Sequence, residues 1–413
     1  MSQLLVGIDV SLKSHHVHFM KEDGASLQEF SIPNNQEGAR LLLQKVMTYR
    51  EKAKVKDVKV GLEATSNYGW HLAHFLHDHL CSSDDESFSP AIYVLNARKV
   101  SRFKKGYDTL PKNDRIDAWV IADHLRFGRL PHAMKEVAQY EALQRLTRTR
   151  FHLVKDIARH KTYIMNQVFL KFSGITQESP FSNTFGVTSM AVIQELEPEV
   201  IAQMSLEELM HFIQEKGNNQ FREPEEAAKF LKKIARDSFR LHPNMEDAVN
   251  VSLSIMASTI QHLTSQVKRL DKEIQKVIKA IPETLTSIKG IGPVYSAGLI
   301  AEIGDIQRFK DHHALAKYAG LVWNQHQSGE YESESTSRMR TGNKYLRYYL
   351  IQAADTIRKH DSEYRAFYLK KFHEVPKHQH KRALVLTARK LIRLVYSLRK
   401  TNQLYLPPER RNS

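Results

Sequence analysis

The sequence predicts an α/β domain at the N-terminus, a long helical middle and a mostly α-helical C-terminal domain. Three observations carry that reading. Over the first 132 residues, short apolar runs alternate with amphipathic helical patterns. From Glu141 onward the apolar spacing lengthens into heptads, and after Pro282 glycine turns and small-residue helices return. A chain of 413 residues has room for two or three domains, with boundaries expected at 1–132, 133–282 and 283–413.

In the first domain, Leu4 to Asp9 is a buried-type strand, His16 to Met20 a second and Glu29 to Ile32 a third. Ala39, Leu42, Leu43 and Val46 give helical periodicity over residues 35–49. Val58 to Leu62 is another strand, residues 68–80 a helix and Ala91 to Leu95 a further strand. Asn113 sits at the N-cap position of a helix running to Arg126.

In the middle, Leu143, Leu146, Leu153, Ile157 and Ile164 mark one heptad arm. The second arm is cleaner: Leu253, Met256, Ile260, Leu263, Val267, Leu270, Ile274 and Val277 alternate spacings of three and four. A lone buried helix shows part of such a pattern. Four unbroken heptads without proline favour a coiled coil. Between the arms, residues 172–248 form a turn-rich insertion with short acidic helices such as 205–216.

The stretch from Leu285 through Gly290-Ile-Gly-Pro293, followed by a helix to Ile303, reads as a helix-hairpin-helix. Gly290 and Gly292 permit a tight turn that frees backbone N–H groups for a phosphate. An ordinary glycine turn is the alternative. The helix predicted over 381–400 has an apolar face (Leu384, Leu391, Leu394, Val395) and a basic one (Arg382, Arg389, Arg393).

Charge points to a polyanionic partner. Lys and Arg number 61 against 46 Asp and Glu, a net charge of +15. The excess is concentrated in 283–413, with 23 basic and 12 acidic residues, where phosphate contacts are expected. The 41% hydrophobic content excludes wholesale disorder, and the single Cys81 excludes a disulfide framework or Cys-rich zinc module. No apolar run is long enough to span a membrane. His71, His74, His77 and His79 drift around their helix and suggest at most adventitious metal binding. His373, His378 and His380 read as a polar loop.

Four carboxylates stand at positions suited to hard cations. Asp9 and Glu63 end predicted strands, and Asp114 and Asp117 lie three apart on one helical face. Mg²⁺ takes such oxygen ligands and keeps places open for phosphate oxygens. Each signal is weak alone, because strand-end Asp residues form turns and paired acids often face solvent. An actin-like sugar kinase also opens on a strand with Asp, but there glycine follows it, whereas Val10 follows Asp9.

Four stretches together resemble the DEDD transposases of bacterial insertion sequences, relatives of the Piv invertases described as bridge-RNA-guided recombinases. They are Gly7-Ile-Asp-Val-Ser11, Gly61-Leu-Glu-Ala-Thr65, Lys112-Asn-Asp-Arg-Ile-Asp-Ala118, and the segment from Gly290 through Ser328-Gly329 to Thr341-Gly-Asn-Lys-Tyr-Leu-Arg347. The resemblance implies an RNase H-like (RuvC-like) N-terminal domain, a coiled-coil dimerisation region and a C-terminal transposase domain. It makes Asp9, Glu63, Asp114 and Asp117 the metal-binding catalytic carboxylates, with Mg²⁺ or Mn²⁺ as cofactor, and Ser328 the nucleophile. Two departures are Asn113 where many members have Thr or Ser, and Gln327 in place of a common Ser.

The implied function is site-specific mobilisation of an insertion element through Mg²⁺-assisted serine attack on DNA. Expected partners are donor and target DNA, a structured guide RNA and further copies of the chain as dimer or tetramer. The expected location is the bacterial cytoplasm, at the nucleoid. Gly290, Gly292, Arg338, Arg340, Lys344 and Arg347 are expected to bind phosphates, with Tyr345, Tyr348 and Tyr349 as core or stacking residues. A metal-dependent Holliday-junction nuclease without a covalent intermediate, and a non-catalytic nucleic-acid scaffold, are the competing readings.

Overall fold

The structure, a computed structural model, describes residues 3–64, 66–81, 87–107, 110–111, 113–135, 138–219, 221–323, 327–328, 331–332 and 341–407. It divides into two units, Met1–Val137 and Ala138–Ser413.

The first unit is a mixed five-stranded sheet with helices on both faces. β1 (Gln3–Val10), β2 (Ser14–Lys21) and β3 (Ser26–Pro33) form an antiparallel meander. After α1 (Gln36–Ala53), β4 (Asp57–Glu63) returns parallel to β1. After α2 (Trp70–Leu80), β5 (Ser89–Leu95) pairs parallel with β4. Two further helices follow, α3 (Ala97–Lys104) and α4 (Asp114–Phe127). The strand order is β3-β2-β1-β4-β5.

β1 is buried on both faces, which is why its sequence runs apolar almost without a break. Leu4, Val6, Ile8 and Val10 pack with Leu42, Val46 and Leu76 from α1 and α2. Leu5 points the other way and packs with Ala122 and Leu125 of α4. Strand alternation therefore puts Asp9 on the α4 face, with Leu5 and Gly7.

The second unit is helical. It opens with α5 (Ala138–Lys171), continues through α6 (Ser173–Gln177), α7 (Val187–Glu195), α8 (Pro198–Gln203), α9 (Leu206–Lys216) and α10 (Pro224–Asp237), and returns along α11 (Pro243–Ile278). α5 and α11 pack antiparallel: Leu143 meets Ile274 and Ile278 at one end, and Ile164, Val168 and Phe172 meet Val249, Leu253 and Ala257 at the other. The 172–248 insertion is a lobe at that second end, its helices sharing one core with the α5 and α11 tips. α9 begins with a capping box between Ser205 and Glu208.

The two heptad arms thus meet inside one chain. Along α11, Leu253, Val267 and Ile274 are buried, whereas Ile260 and the alternate row Met256, Leu263, Leu270 and Val277 are only half-buried. One row of the stripe is thus buried but for Ile260, and the other is partly open.

Past α11, the first helix of the expected hairpin is a single 3₁₀ turn, Leu285–Ser287, and the second is α12 (Pro293–Ile303). α13 (His312–Ala319) follows, then two-residue strands β6 (Gln327–Ser328) and β7 (Tyr331–Glu332) paired antiparallel. The unit ends with α14 (Lys344–His360), α15 (Ser362–His373) and α16 (Gln379–Thr401). His373 and His380 are helical rather than loop residues, and His378 caps α16. Among the described residues no helix is long and apolar enough to cross a membrane.

Candidate active site

Three elements bring the carboxylates together. The parallel register pairs Ile8 with Leu62, so Asp9 and Glu63 occupy neighbouring positions at one end of the sheet. Asp114 and Asp117 lie in the first turn of α4, whose N-cap Asn113 accepts from the Arg115 N–H. Carboxylates there also complement the positive end of the helix dipole. α4 reaches the strand because residue 7 is glycine: a Cβ on Gly7 would lie 2.2 Å from the Ala118 carbonyl oxygen and 2.4 Å from the Ala122 nitrogen.

Electrostatics record the convergence. Burial, then Asp117, Asp114 and Glu63, push the Asp9 carboxyl up to about 7, against a weaker opposing hydrogen bond from the Val10 backbone. A raised Asp9 carboxyl is the expected response to burial beside like charges. Two nitrogen-bearing side chains border the carboxylates. Lys104 Nζ pairs with Asp117 Oδ1 at 2.6 Å, and His16 Nε2 lies 3.8 Å from Asp114 Oδ2.

The donor set is all oxygen and crowded with negative charge, which suits a hard divalent cation such as Mg²⁺. Among the described residues, no three His, Cys, Asp or Glu side chains stand close enough to form a ligand cage. The four carboxylates share one electrostatic site without being drawn to a common point.

Sequence reasoning missed α3. It packs Val100 into the core and Phe103 against His124 and Phe127 of α4. Just beyond it, Tyr107 donates to Asp123, a buried carboxylate that also holds Arg126. The available signal was basic density after the cap Asn96, with Arg98, Lys99, Arg102, Lys104 and Lys105 within eight residues.

The residues expected at phosphates belong to the second unit, and the described ones occupy different settings. Gly290 has φ +101°, and a Cβ there would press on His360 and the Thr356 backbone, so it seats the turn on α14. Gly292 caps α12 and faces open space. Lys344 is exposed, while the Arg347 guanidinium donates to the carbonyls of Ala319 and Thr341. Tyr349 is fully buried and donates to the Thr147 carbonyl. Tyr345 and Tyr348 pack edge-on against Phe151. Ser328 lies in β6, opposite Tyr331, and Arg338 and Arg340 lie outside the described residues.

Asn343 in the C-terminal motif has a structural task. Its Oδ1 accepts from the Tyr345 and Leu346 N–H groups, and its Nδ2 donates to Tyr318 Oη and to Glu302. Glu302 is 1% exposed and takes a two-pronged bond from Arg148 of α5 at 2.7 and 2.9 Å. One buried carboxylate therefore ties α5, α12 and the start of α14 together.

Comparison with known proteins adds the following. Residues 6–172 match a family profile described as a transposase of the DEDD IS110 type, and residues 282–369 match the transposase IS116/IS110/IS902 family. An uncharacterized 44.8 kDa protein of insertion element IS116 from Streptomyces clavuligerus is 24% identical over 98% of this chain and 96% of that protein. The pilin gene-inverting protein of Moraxella bovis is 30% identical over 35% of this chain and 46% of its own length. T. thermophilus RuvC in complex with Holliday junction substrate aligns at a TM-score of 0.23 and 12% identity, over 32% of this chain and 99% of that one, a likeness too slight to bear weight.

Proposed function

The chain belongs to the IS116/IS110/IS902 family of insertion-element transposases and is a DNA transposase, and from that premise we propose how its residues divide the work. The N-terminal unit is an RNase H-like (RuvC-like) domain in which Asp9, Glu63, Asp114 and Asp117 form the metal-binding centre. The strand order β3-β2-β1-β4-β5, with Asp9 on the middle strand, supports that assignment. The observation that carries it is the convergence of the β1 and β4 ends with the first turn of α4, which Gly7 permits, and the raised Asp9 carboxyl agrees with it.

Held by these groups, Mg²⁺, or Mn²⁺ in its place, would neutralise phosphate oxygens and acidify an attacking hydroxyl. The hydroxyl is that of Ser328. Its oxygen bonds to phosphorus, one P–O bond of the DNA backbone breaks, and the proton lost by serine is matched by the one the leaving oxygen gains. The phosphoserine link keeps the bond energy for rejoining. Lys344, Arg338 and Arg340 bind nearby phosphates, as do the turn at Gly290 and Gly292 and, in part, Arg347. A structured guide RNA chooses the sites, and copies of the chain assemble through the half-covered row of α11. The enzyme acts on nucleoid DNA in the cytoplasm.

The test is to incubate wild type and Ser328→Ala with end-labelled target DNA, Mg²⁺ and guide RNA, then denature and look for protein-linked label. An adduct from wild type alone is expected. Wild-type cleavage by the alanine variant would favour a Holliday-junction-type nuclease using water.

A further inference from the structure

A lysine sits among the carboxylates, and its placement is built rather than incidental. Lys104 is 20% exposed and Asp117 28%, so their 2.6 Å pair is partly removed from water, unlike ordinary surface pairs. The helix that carries it is anchored at three points. Val100 is buried, Phe103 lies between His124 and Phe127, and Tyr107 is tied to the buried Asp123. α3 is thus clamped to α4, the helix bearing Asp114 and Asp117, and Lys104 faces its first turn.

We propose that Lys104 is a tethered counter-cation of the carboxylate centre, an ammonium that holds Asp117 in the metal-free protein and that a divalent cation must displace. The proposal rests on the carboxylates being a metal centre. Its chemistry is competition at one carboxylate: the ammonium occupies Asp117 Oδ1, and a hard cation drawing on the same carboxylate meets both the occupied oxygen and the ammonium's charge. The ammonium also offsets part of the repulsion among Asp9, Asp114 and Asp117, which lets the fold hold them together before metal arrives. His16, beside Asp114, lies on the opposite strand and leaves Asp117 to Lys104.

Two readouts test this on the full-length protein without nucleic acid. Mn²⁺ titration by calorimetry is expected to show Lys104→Met binding about five- to tenfold tighter than wild type, one nearby charge and one competitor having been removed. Lys104→Arg, which keeps the charge, is expected to restore wild-type affinity. In chelator, Lys104→Met is expected to melt below wild type, and Mn²⁺ to close that gap; Lys104→Gln provides the same comparison if the methionine variant does not fold. Asp117→Asn, the control, loses Mn²⁺ binding with or without Lys104. Wild-type Mn²⁺ affinity in both neutral variants would overturn the proposal while leaving the metal centre standing. Failure of wild type itself to bind Mn²⁺ would overturn the metal centre, and this proposal with it.

Discussion

Asp9 shows how a single side chain reports its surroundings. Its carboxyl stands near 7 in the folded chain against an ordinary value of 3.8. Between those values the folded state holds a proton that the unfolded state has released. Stability of the metal-free protein therefore falls as pH rises through that window. The half-buried setting and solvent screening reduce the effect to on the order of 2 kcal/mol. Asp9→Asn removes it, so melting temperatures in chelator should converge near pH 4 and separate by pH 8, with the variant higher. His15 and His18, whose ring pKa values burial lowers, act in the opposite sense below pH 6.5 but are common to both proteins. Equal melting curves at pH 8 would show that the four carboxylates do not crowd one another. The same variant is expected to lose strand cleavage with DNA binding retained.

At the level of elements, Gly7 decides whether α4 can approach β1 at all. Gly7→Ala forces backbone apart, and a loss of about 3 kcal/mol is expected by denaturant melting. A loss under about 1 kcal/mol would mean that α4 rides further from the strand. The α11 stripe makes a separate prediction. Leu263 and Leu270 belong to its half-buried row, so Leu263→Glu with Leu270→Glu should dissociate oligomers in sedimentation while α5 stays packed on the other row. Unchanged assembly would confine the stripe to one protomer. What could be read in advance follows the same physics. Strands and amphipathic helices announce themselves through their periodicity, as does Asn113 through its capping chemistry. A heptad stripe says what it buries but not whose helix covers it, and the intrachain α5–α11 pairing had no separate sign. α3 is too short, and too basic, for its one buried residue to register as a pattern.

Across the whole molecule, the sequence spreads its chemistry over two units, each with its own core. Leu4, Ile8, Val60 and Leu76 close one in the first unit; Leu285, Ile300, Tyr349 and Leu391 close another in the second. Residues 1–137 expressed alone are therefore expected to unfold cooperatively and to bind Mn²⁺ with the affinity of the full chain. They should yield no DNA adduct, because Ser328 is absent. Non-cooperative melting of that fragment would show that its core depends on the rest. The four carboxylates were readable because strand ends and helix turns set their positions from local sequence.

The antiparallel pairing of α5 and α11 also sets a distance. A 34-residue helix is about 50 Å long, and that length separates the lobe of residues 172–248 from the base where Leu143 meets Ile278. Laid along a DNA duplex, that length spans roughly fifteen base pairs at about 3.4 Å each. The two helices hold the lobe at that distance, and removing two turns from both would bring it about 11 Å nearer the base.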